Sequence, residues 1–285
     1  MSFTRTLLVP ALLLGALSLA TPVAAQGDIA AQGRAVHAAH AKAVVSIAGS
    51  LSLDFGMGQQ DMPINVLGSI VDADGLILTS LSSMNPIGDG EVTFEPQPGM
   101  ELQLTAKISD LWVDLQGGER VPVETVLLDP LNDVAILRPK DAAKAAELGA
   151  RALTAEGTGA MPKVLEPVVI LGRTGEAANR VATARIDHVA AKIETPRECA
   201  LLNAEVGSPV FAADGKLIGI VTTLASGEEF DPMQMMGGLG ANGATVVNPM
   251  SALKPIIAQA KVNAAEKAAE PAEESAEEAT EEAGG

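Results

Sequence analysis

The chain has 285 residues, a formal net charge of −17 and a hydrophobic content of 47%. Because aromatic residues make up only 2%, the core must be aliphatic, and the acidic balance excludes the basic surface that nucleic acids and anionic membranes require. A single cysteine, Cys199, excludes internal disulfides and zinc sites built on several thiolates. We therefore expect no nucleic-acid partner, no metal and no cofactor.

Residues 1–25 have the pattern of a secretory signal peptide. Arg5 supplies the positive charge, Leu7 to Leu19 form an apolar run, and Val23-Ala24-Ala25 is a small-residue cleavage site. The alternative, a membrane anchor, is disfavoured because the run is short, is interrupted by Pro10 and is followed by Pro22. We expect a mature chain that begins at Gln26, has no transmembrane span, and is exported to the periplasm or the extracellular space.

Residues 26–43 form a predicted N-terminal helical segment, with an alanine-rich helix over Asp28 to Ala43. His37 and His40 are three residues apart and share a helix face, an arrangement that permits a metal site. No third ligand follows nearby in the sequence. We therefore interpret the two histidines as solvated side chains of the helix rather than as metal ligands.

Short apolar segments separated by Gly, Asp and Pro turns predict an all-β barrel or sandwich over the middle of the chain. Residues 85–100 are rich in Pro and Gly and are interpreted as a surface insertion. Residues 141–148 carry good helix formers and predict a brief helical linker. The predicted strands include Val44 to Ile47, Ile64 to Val71, Leu76 to Thr79, Asp133 to Leu137, Val168 to Gly172, Arg180 to Ala190 and Ala244 to Val247.

The end of the chain differs from the β-rich middle. Met250 to Ala260 has helical periodicity, and from about Ala264 the sequence becomes Ala/Glu repeats that predict a disordered or frayed acidic tail. The tail is either a solubility device or a binding segment for cations or partners. A methionine-rich stretch, Met233 to Met236, is either an adaptable contact surface or a disordered loop.

Four motifs occur in an ordered series. The first, Asp74-Gly75-Leu76-Ile77-Leu78-Thr79-Ser80-Leu81-Ser82-Ser83, reads as turn and strand, and the second, Asp129-Pro130-Leu131-Asn132-Asp133-Val134-Ala135-Ile136-Leu137, also reads as turn and strand. The third, Glu205-Val206-Gly207-Ser208-Pro209, reads as a tight turn before a strand, and the fourth, Gly243-Ala244-Thr245-Val246-Val247-Asn248-Pro249, as a final strand before a helix. In order and spacing they resemble the HtrA/Deg branch of the chymotrypsin-fold serine peptidases, over roughly residues 44–260.

The resemblance implies an all-β fold class: two six-stranded chymotrypsin-like β-barrels, residues 44–140 and 141–260, with a C-terminal helix and a flexible tail over residues 261–285. It also implies a homo-oligomer. We expect no counterpart of the family's PDZ module after the second barrel, with the acidic tail in its place.

The resemblance places the catalytic histidine at Ser82, the aspartate at Asp133 and the nucleophilic serine at Val206. Serine-peptidase chemistry needs all three side chains, and a serine cannot replace the base without an activator of its own. Of the three positions, only Asp133 has the residue type that the triad requires, and we interpret it as a structural residue. As replacement nucleophiles, Ser208 and Cys199 are disfavoured, because the first replaces a glycine and the second has no predicted basic partner except Arg197.

We therefore predict a pseudopeptidase that binds a protein or peptide, with Glu205, Gly207 and Ser208 lining its groove. One alternative is an active HtrA-like serine endopeptidase that degrades unfolded exported proteins. Another is a structural envelope protein that acts through its acidic tail.

Overall fold

The computed structural model describes residues 22–54, 56, 58–85, 90–97, 100–153, 158–195, 197–224 and 244–269. Two antiparallel β-sheets, each of seven strands, make up most of these residues. A long helix packs against the assembly at either end of the chain. This confirms the predicted mostly-β, chymotrypsin-like architecture with a C-terminal helix.

The first sheet closes into a barrel. The strand order is β1-β2-β3-β7-β6-β5-β4, and an additional β1–β5 pairing closes six of the strands while β4 remains outside. Residues 85–100, predicted as a surface insertion, contribute β4 and the start of β5, which pair as a hairpin. The strands are β1 (Val44–Asp54), β2 (Gln59–Ile70), β3 (Ile77–Ser80), β4 (Gly90–Gln97), β5 (Met100–Asp114), β6 (Arg120–Asp129) and β7 (Val134–Pro139).

The second sheet is an open half-barrel rather than the closed six-stranded barrel that we predicted. Its order is β10-β11-β14-β13-β12-β8-β9, and in the described part of the chain β9 and β10 remain its two edges. They diverge at a corner where the Ala190 N–H donates to the Leu201 carbonyl, and β10 is only three residues long. The strands are β8 (Pro167–Arg173), β9 (Ala182–His188), β10 (Ala191–Ile193), β11 (Cys199–Leu201), β12 (Pro209–Ala212), β13 (Leu217–Leu224) and β14 (Ala244–Pro249).

The N-terminal helix, α1 (Pro22–His40), packs on the second sheet. The His40 ring stacks on Phe211 with ring centroids 5.1 Å apart, and a ring nitrogen of His37 lies 3.3 Å from the Ala182 carbonyl oxygen. Burial lowers the pKa of His40 below its usual value. The two histidines are therefore packing residues, and their interpretation as solvated side chains is wrong.

Helix α1 begins at Pro22, within the segment that we assign to the signal peptide, and residues 1–21 lie outside the described part of the chain. Two short helices follow: α2 (Leu81–Met84) and α3 (Ala142–Gly149). Asp141 caps α3, because its carboxylate accepts the Lys144 N–H at 2.9 Å.

The C-terminal helix, α4 (Met250–Ala269), follows the second sheet but packs back on the first barrel. The Lys261 ammonium lies 2.8 Å from the Asp72 carboxylate in the β2–β3 turn, and the Asn263 amide donates to the Val126 carbonyl at 3.1 Å. The helix thus joins the two halves of the fold. It continues into the range assigned to the acidic tail, and residues 270–285 lie outside the described part, as does the methionine-rich stretch.

None of the helices formed by the described residues combines the length and the apolar character that crossing a membrane requires.

Candidate functional site

The carboxylate of Asp133 lies between the two halves of the molecule. One oxygen accepts the Ser82 N–H at 2.7 Å, and the other accepts the Ser80 hydroxyl and the Thr223 N–H, both at 2.6 Å. Ser80 and Ser82 belong to the first barrel, whereas Thr223 lies on β13 of the second sheet. The residue is only 8% exposed. Its three short hydrogen bonds satisfy the charge and hold the halves together.

Ser82 lies in the first turn of α2. Ser80 caps this helix, with its hydroxyl accepting the Ser83 N–H at 3.4 Å, and the hydroxyl oxygens of Ser80 and Ser82 are 3.3 Å apart. The side chain at the position predicted for the base therefore faces another hydroxyl. Serine offers no group that accepts a proton near neutral pH, so this arrangement supplies no general base.

All three histidines of the sequence fall within the described residues, and none contacts Asp133. His37 and His40 belong to α1 and pack on the second sheet. His188 is exposed at the end of β9, where it pairs with Pro167. Among the residues that the structure describes, the Asp133 carboxylate thus accepts from hydroxyl and backbone donors and not from an imidazole.

The turn at Val206 is held by both halves. Gly207 has a φ of +82° and donates its N–H to the Val221 carbonyl at 2.8 Å, and its own carbonyl accepts the Ser69 hydroxyl at 2.7 Å. A Cβ at Gly207 would lie 2.0 Å from the Leu67 carbonyl oxygen. The position therefore requires glycine. The Val206 side chain, half-buried, packs against the apolar cluster of the second sheet.

Strand β13 brings the three predicted triad positions together. It binds the Val206 turn through Val221 and the Asp133 carboxylate through Thr223. These two residues are two positions apart, which corresponds to about 7 Å along a strand. The fold therefore gathers Ser82, Asp133 and Val206 at one place, although their equivalence to a catalytic triad stays a prediction.

A cavity of about 290 Å³ lies beside the Val206 turn, and Glu205 and Ser208 are among its lining residues. Gly207, the third predicted groove residue, is buried against the first barrel and is not one of them. Ile170 lines the apolar side, and the polar side is completed by Thr183, Arg185 and Asn203. The cavity is thus a mixed-charge pocket.

Glu205 and Arg185 are the charged groups of this cavity. Burial raises the pKa of the Glu205 carboxyl, and the nearby Arg185 guanidinium opposes part of that rise. A guanidinium nitrogen of Arg185 donates to the Asn203 carbonyl and so bridges β9 and the segment before the Val206 turn. Sequence reasoning missed Arg185, Thr183 and Asn203. Of these three, only Thr183 and Arg185 lie in a segment that the sequence predicted as a strand, Arg180 to Ala190.

The two alternative nucleophiles are poorly placed for chemistry. Cys199 is fully buried in β11, and burial raises the pKa of its thiol, although Arg197 acts in the opposite direction. A high thiol pKa disfavours the reactive thiolate. Ser208 is 1% exposed and contacts no histidine. Among the described residues, no cluster of three His, Cys, Asp or Glu side chains is suited to bind a metal ion.

Two packed antiparallel sheets, with a glycine-dependent turn and a buried aspartate where they meet, define a chymotrypsin-fold protein. The profile of the trypsin-like peptidase domain family matches residues 67–220. The chain therefore belongs to that family, which confirms the resemblance to chymotrypsin-fold serine peptidases.

Solved structures of HtrA-type proteases are similar in fold. The HtrA-type protease AlgW with a decapeptide has a TM-score of 0.51 at 16% identity, covering 80% of this chain and 67% of that one. AlgW with a tripeptide has a TM-score of 0.48 at 17% identity, covering 78% and 61%. The chain thus spans about two thirds of the length of these proteases. No curated protein sequence matches the chain.

Proposed function

We propose that this chain is an exported, trypsin-fold pseudopeptidase that binds a protein or peptide and does not hydrolyse it. The observation that supports this most strongly is that the Asp133 carboxylate accepts hydrogen bonds from Ser80, Ser82 and Thr223. At the predicted base position stands Ser82, and at the predicted nucleophile position stands Val206. Two of the three groups that acyl transfer requires are therefore missing.

The proposed binding region lies around Glu205, Gly207 and Ser208. Glu205 and Ser208 face the cavity beside the turn, and Gly207 fixes the backbone between them. Such a concave region with a few polar groups is the usual setting for a ligand. Export to the periplasm or the extracellular space is proposed from the signal sequence of residues 1–25, and a homo-oligomer from the HtrA-like fold.

The test is reaction of the purified protein with a fluorophosphonate probe, alongside incubation with unfolded casein, with trypsin as the positive control. We expect neither labelling nor cleavage. The double substitution Ser82→His with Val206→Ser restores the predicted missing groups beside Asp133. We expect weak labelling at residue 206 in that variant, and its absence would contradict the assignment of these positions.

An active serine endopeptidase is the second candidate, favoured by membership of the trypsin-like peptidase family. Ser208, two residues after Val206, is the nucleophile it would need. Labelling of the unmodified protein that maps to Ser208 and disappears in Ser208→Ala would establish this candidate and refute the pseudopeptidase.

A further inference from the structure

The cavity beside the Val206 turn presents an acidic and a basic side chain to the same space. Glu205 and Arg185 both line it, yet within the described part of the chain they form no ion pair with each other, and Arg185 lies 3.8 Å from the Asp187 carboxylate instead. Burial raises the pKa of the Glu205 carboxyl, and the Arg185 guanidinium is near enough to oppose part of that rise. A molecule in the cavity therefore meets both charges at once.

Both charged groups lie at the mouth of the cavity and keep hydrogen-bonding capacity. The Arg185 side chain is 47% exposed, and Glu205 is also exposed. A guanidinium carries several N–H donors, and the hydrogen bond that it forms within the described ranges is to the Asn203 carbonyl. The Glu205 carboxylate accepts no hydrogen bond from any described residue. An incoming molecule can therefore pair with either group.

Beyond the charged groups, the cavity is lined by hydroxyl groups and a glycine. Ser208 is only 1% exposed and marks the inner end. A Cβ added at Gly172 would lie 3.2 Å from the Thr183 Oγ1 and 4.0 Å from the Ser208 Oγ, so the glycine keeps open the space between the two hydroxyls. Neither hydroxyl has a hydrogen-bond partner among the residues that the structure describes. The buried Ile170 adds an apolar wall.

Size and charge together limit the class of ligand. Pockets for drug-sized ligands usually measure about 300–1,000 Å³, whereas this cavity measures about 290 Å³, so it fits a small molecule. A simple cation would be attracted by Glu205 and repelled by Arg185, and a simple anion would meet the reverse. A zwitterion satisfies both side chains. A free α-amino acid carries its ammonium and carboxylate groups on one carbon, which leaves its side chain to point inward towards the hydroxyls.

We propose that this cavity binds a free α-amino acid with a short polar side chain. Its ammonium group contacts the Glu205 carboxylate, its carboxylate accepts from the Arg185 guanidinium, and its side chain forms hydrogen bonds with Ser208 and Thr183. A residue inside a polypeptide lacks both of these charged groups, so this site differs from a groove for an extended peptide. The inference goes beyond the proposed function, because it adds a small-molecule ligand to the protein or peptide partner.

The test is isothermal titration calorimetry of L-threonine with the full chain at low salt. N-acetyl-L-threonine lacks the ammonium group and L-threoninamide lacks the carboxylate. We expect each to bind about tenfold more weakly or worse, because each loses a charged hydrogen bond. These comparisons change only the ligand and leave the fold untouched. Equal binding of all three compounds, or no binding of L-threonine at about 10 mM, would overturn the proposal.

Substitutions assign each group of the ligand to its partner. Glu205→Gln should weaken the binding of L-threonine about tenfold but leave that of N-acetyl-L-threonine unchanged, since that compound has no ammonium group. Arg185→Gln should show the same selectivity with L-threoninamide, and Arg185→Lys, which keeps the charge, should retain more affinity. Glu194→Gln is the matched control, because Glu194 is 78% exposed, and we expect less than about a twofold effect there. Equal weakening of all ligands by Glu205→Gln would refute the assignment.

Gly172→Ala examines the inner part of the cavity without changing a charge. The added methyl group enters the space between Thr183 and Ser208, so L-threonine should bind about tenfold more weakly, whereas the amino acid glycine, which has no side chain, should be affected less. Unchanged binding of L-threonine would refute the placement of its side chain. If L-threonine fails to bind while the fluorophosphonate probe also fails to label, this inference is wrong and the pseudopeptidase proposal stands.

Discussion

Replacing Asp133 by alanine tests whether its carboxylate holds the two halves of the fold together. The substitution removes acceptors from two backbone N–H groups and a hydroxyl, at distances of 2.6–2.7 Å. Hydrogen bonds to a charged group contribute about 1.5–3 kcal/mol each, and removal of one partner of a buried polar network costs about 3–5 kcal/mol. We expect a loss of about 3–5 kcal/mol, a large part of the stability of a typical domain.

Backbone strain contributes to this value and must be separated from it. Asp133 has a φ of +54°, a region where alanine is disfavoured by about 1–2 kcal/mol and asparagine is tolerated better. Asp133→Asn therefore separates the effect of the lost charge on stability from the effect of backbone strain. Its amide oxygen can still accept from Ser82, but its NH₂ group would face the Thr223 N–H, so we expect an intermediate loss.

Urea unfolding followed by the fluorescence of Trp112, the single tryptophan, measures this loss. The matched control is Asp129→Ala, whose carboxylate accepts, among the described residues, only from the backbone and side chain of Asn132 within one turn; we expect a loss of about 1 kcal/mol there. If Asp133→Ala costs no more than this control, Asp133 is not a stabilising link between the two sheets.

Two other substitutions have outcomes fixed by the structure. Gly207→Ala should lower the free energy of unfolding in urea by more than about 3 kcal/mol, because it adds left-handed backbone strain and a clash with the Leu67 backbone. Gly215→Ala should cost less, because the added atom there meets the flexible side chain of Gln32. Equal losses in the two variants would contradict the packing argument. Burial lowers the pKa of His40, so the unfolded chain binds a proton more readily and the wild type should lose stability as the pH falls from about 6.5 through the lower folded pKa. His40→Phe, which keeps the stack on Phe211, should remove this component from the pH dependence of the melting temperature, and an unchanged dependence would show that His40 is not its source.

The fold could be predicted from local motifs because each has a clear physical meaning. Asp74-Gly75 and Asp214-Gly215 mark turns, and Gly75 and Gly215 adopt a φ of +76° and +83°. Apolar runs such as Val168 to Leu171 are buried strands. The opening of the second sheet could not be predicted in this way. It depends on the corner between β9 and β10, where the Ala190 N–H donates to the Leu201 carbonyl of β11.

In the candidate site too, short motifs could be predicted and contacts between distant residues could not. Asp133 and the Val206 turn stood out through short motifs, but the partners of Asp133 did not. Thr223 follows it by ninety positions, and nothing in the apolar run of β13 marks one N–H as the partner of a carboxylate. Arg185 escaped notice for a similar reason, since an arginine in an alternating strand is usually a solvated side chain. His40 was misjudged because its stacking partner, Phe211, lies far along the chain.

Asp133 and the residues at the other two predicted triad positions differ in what they contribute to the folded state. A catalytic histidine and serine act on substrate, and a site without them need not lose packing. Val206 contacts the apolar cluster of the second sheet, so valine stabilises this turn where a serine hydroxyl would need a partner. Asp133, in contrast, cannot be removed without leaving three donors unsatisfied. The proposed loss of chemistry would leave the two-sheet frame and its neighbouring cavity intact, as the proposed binding function requires.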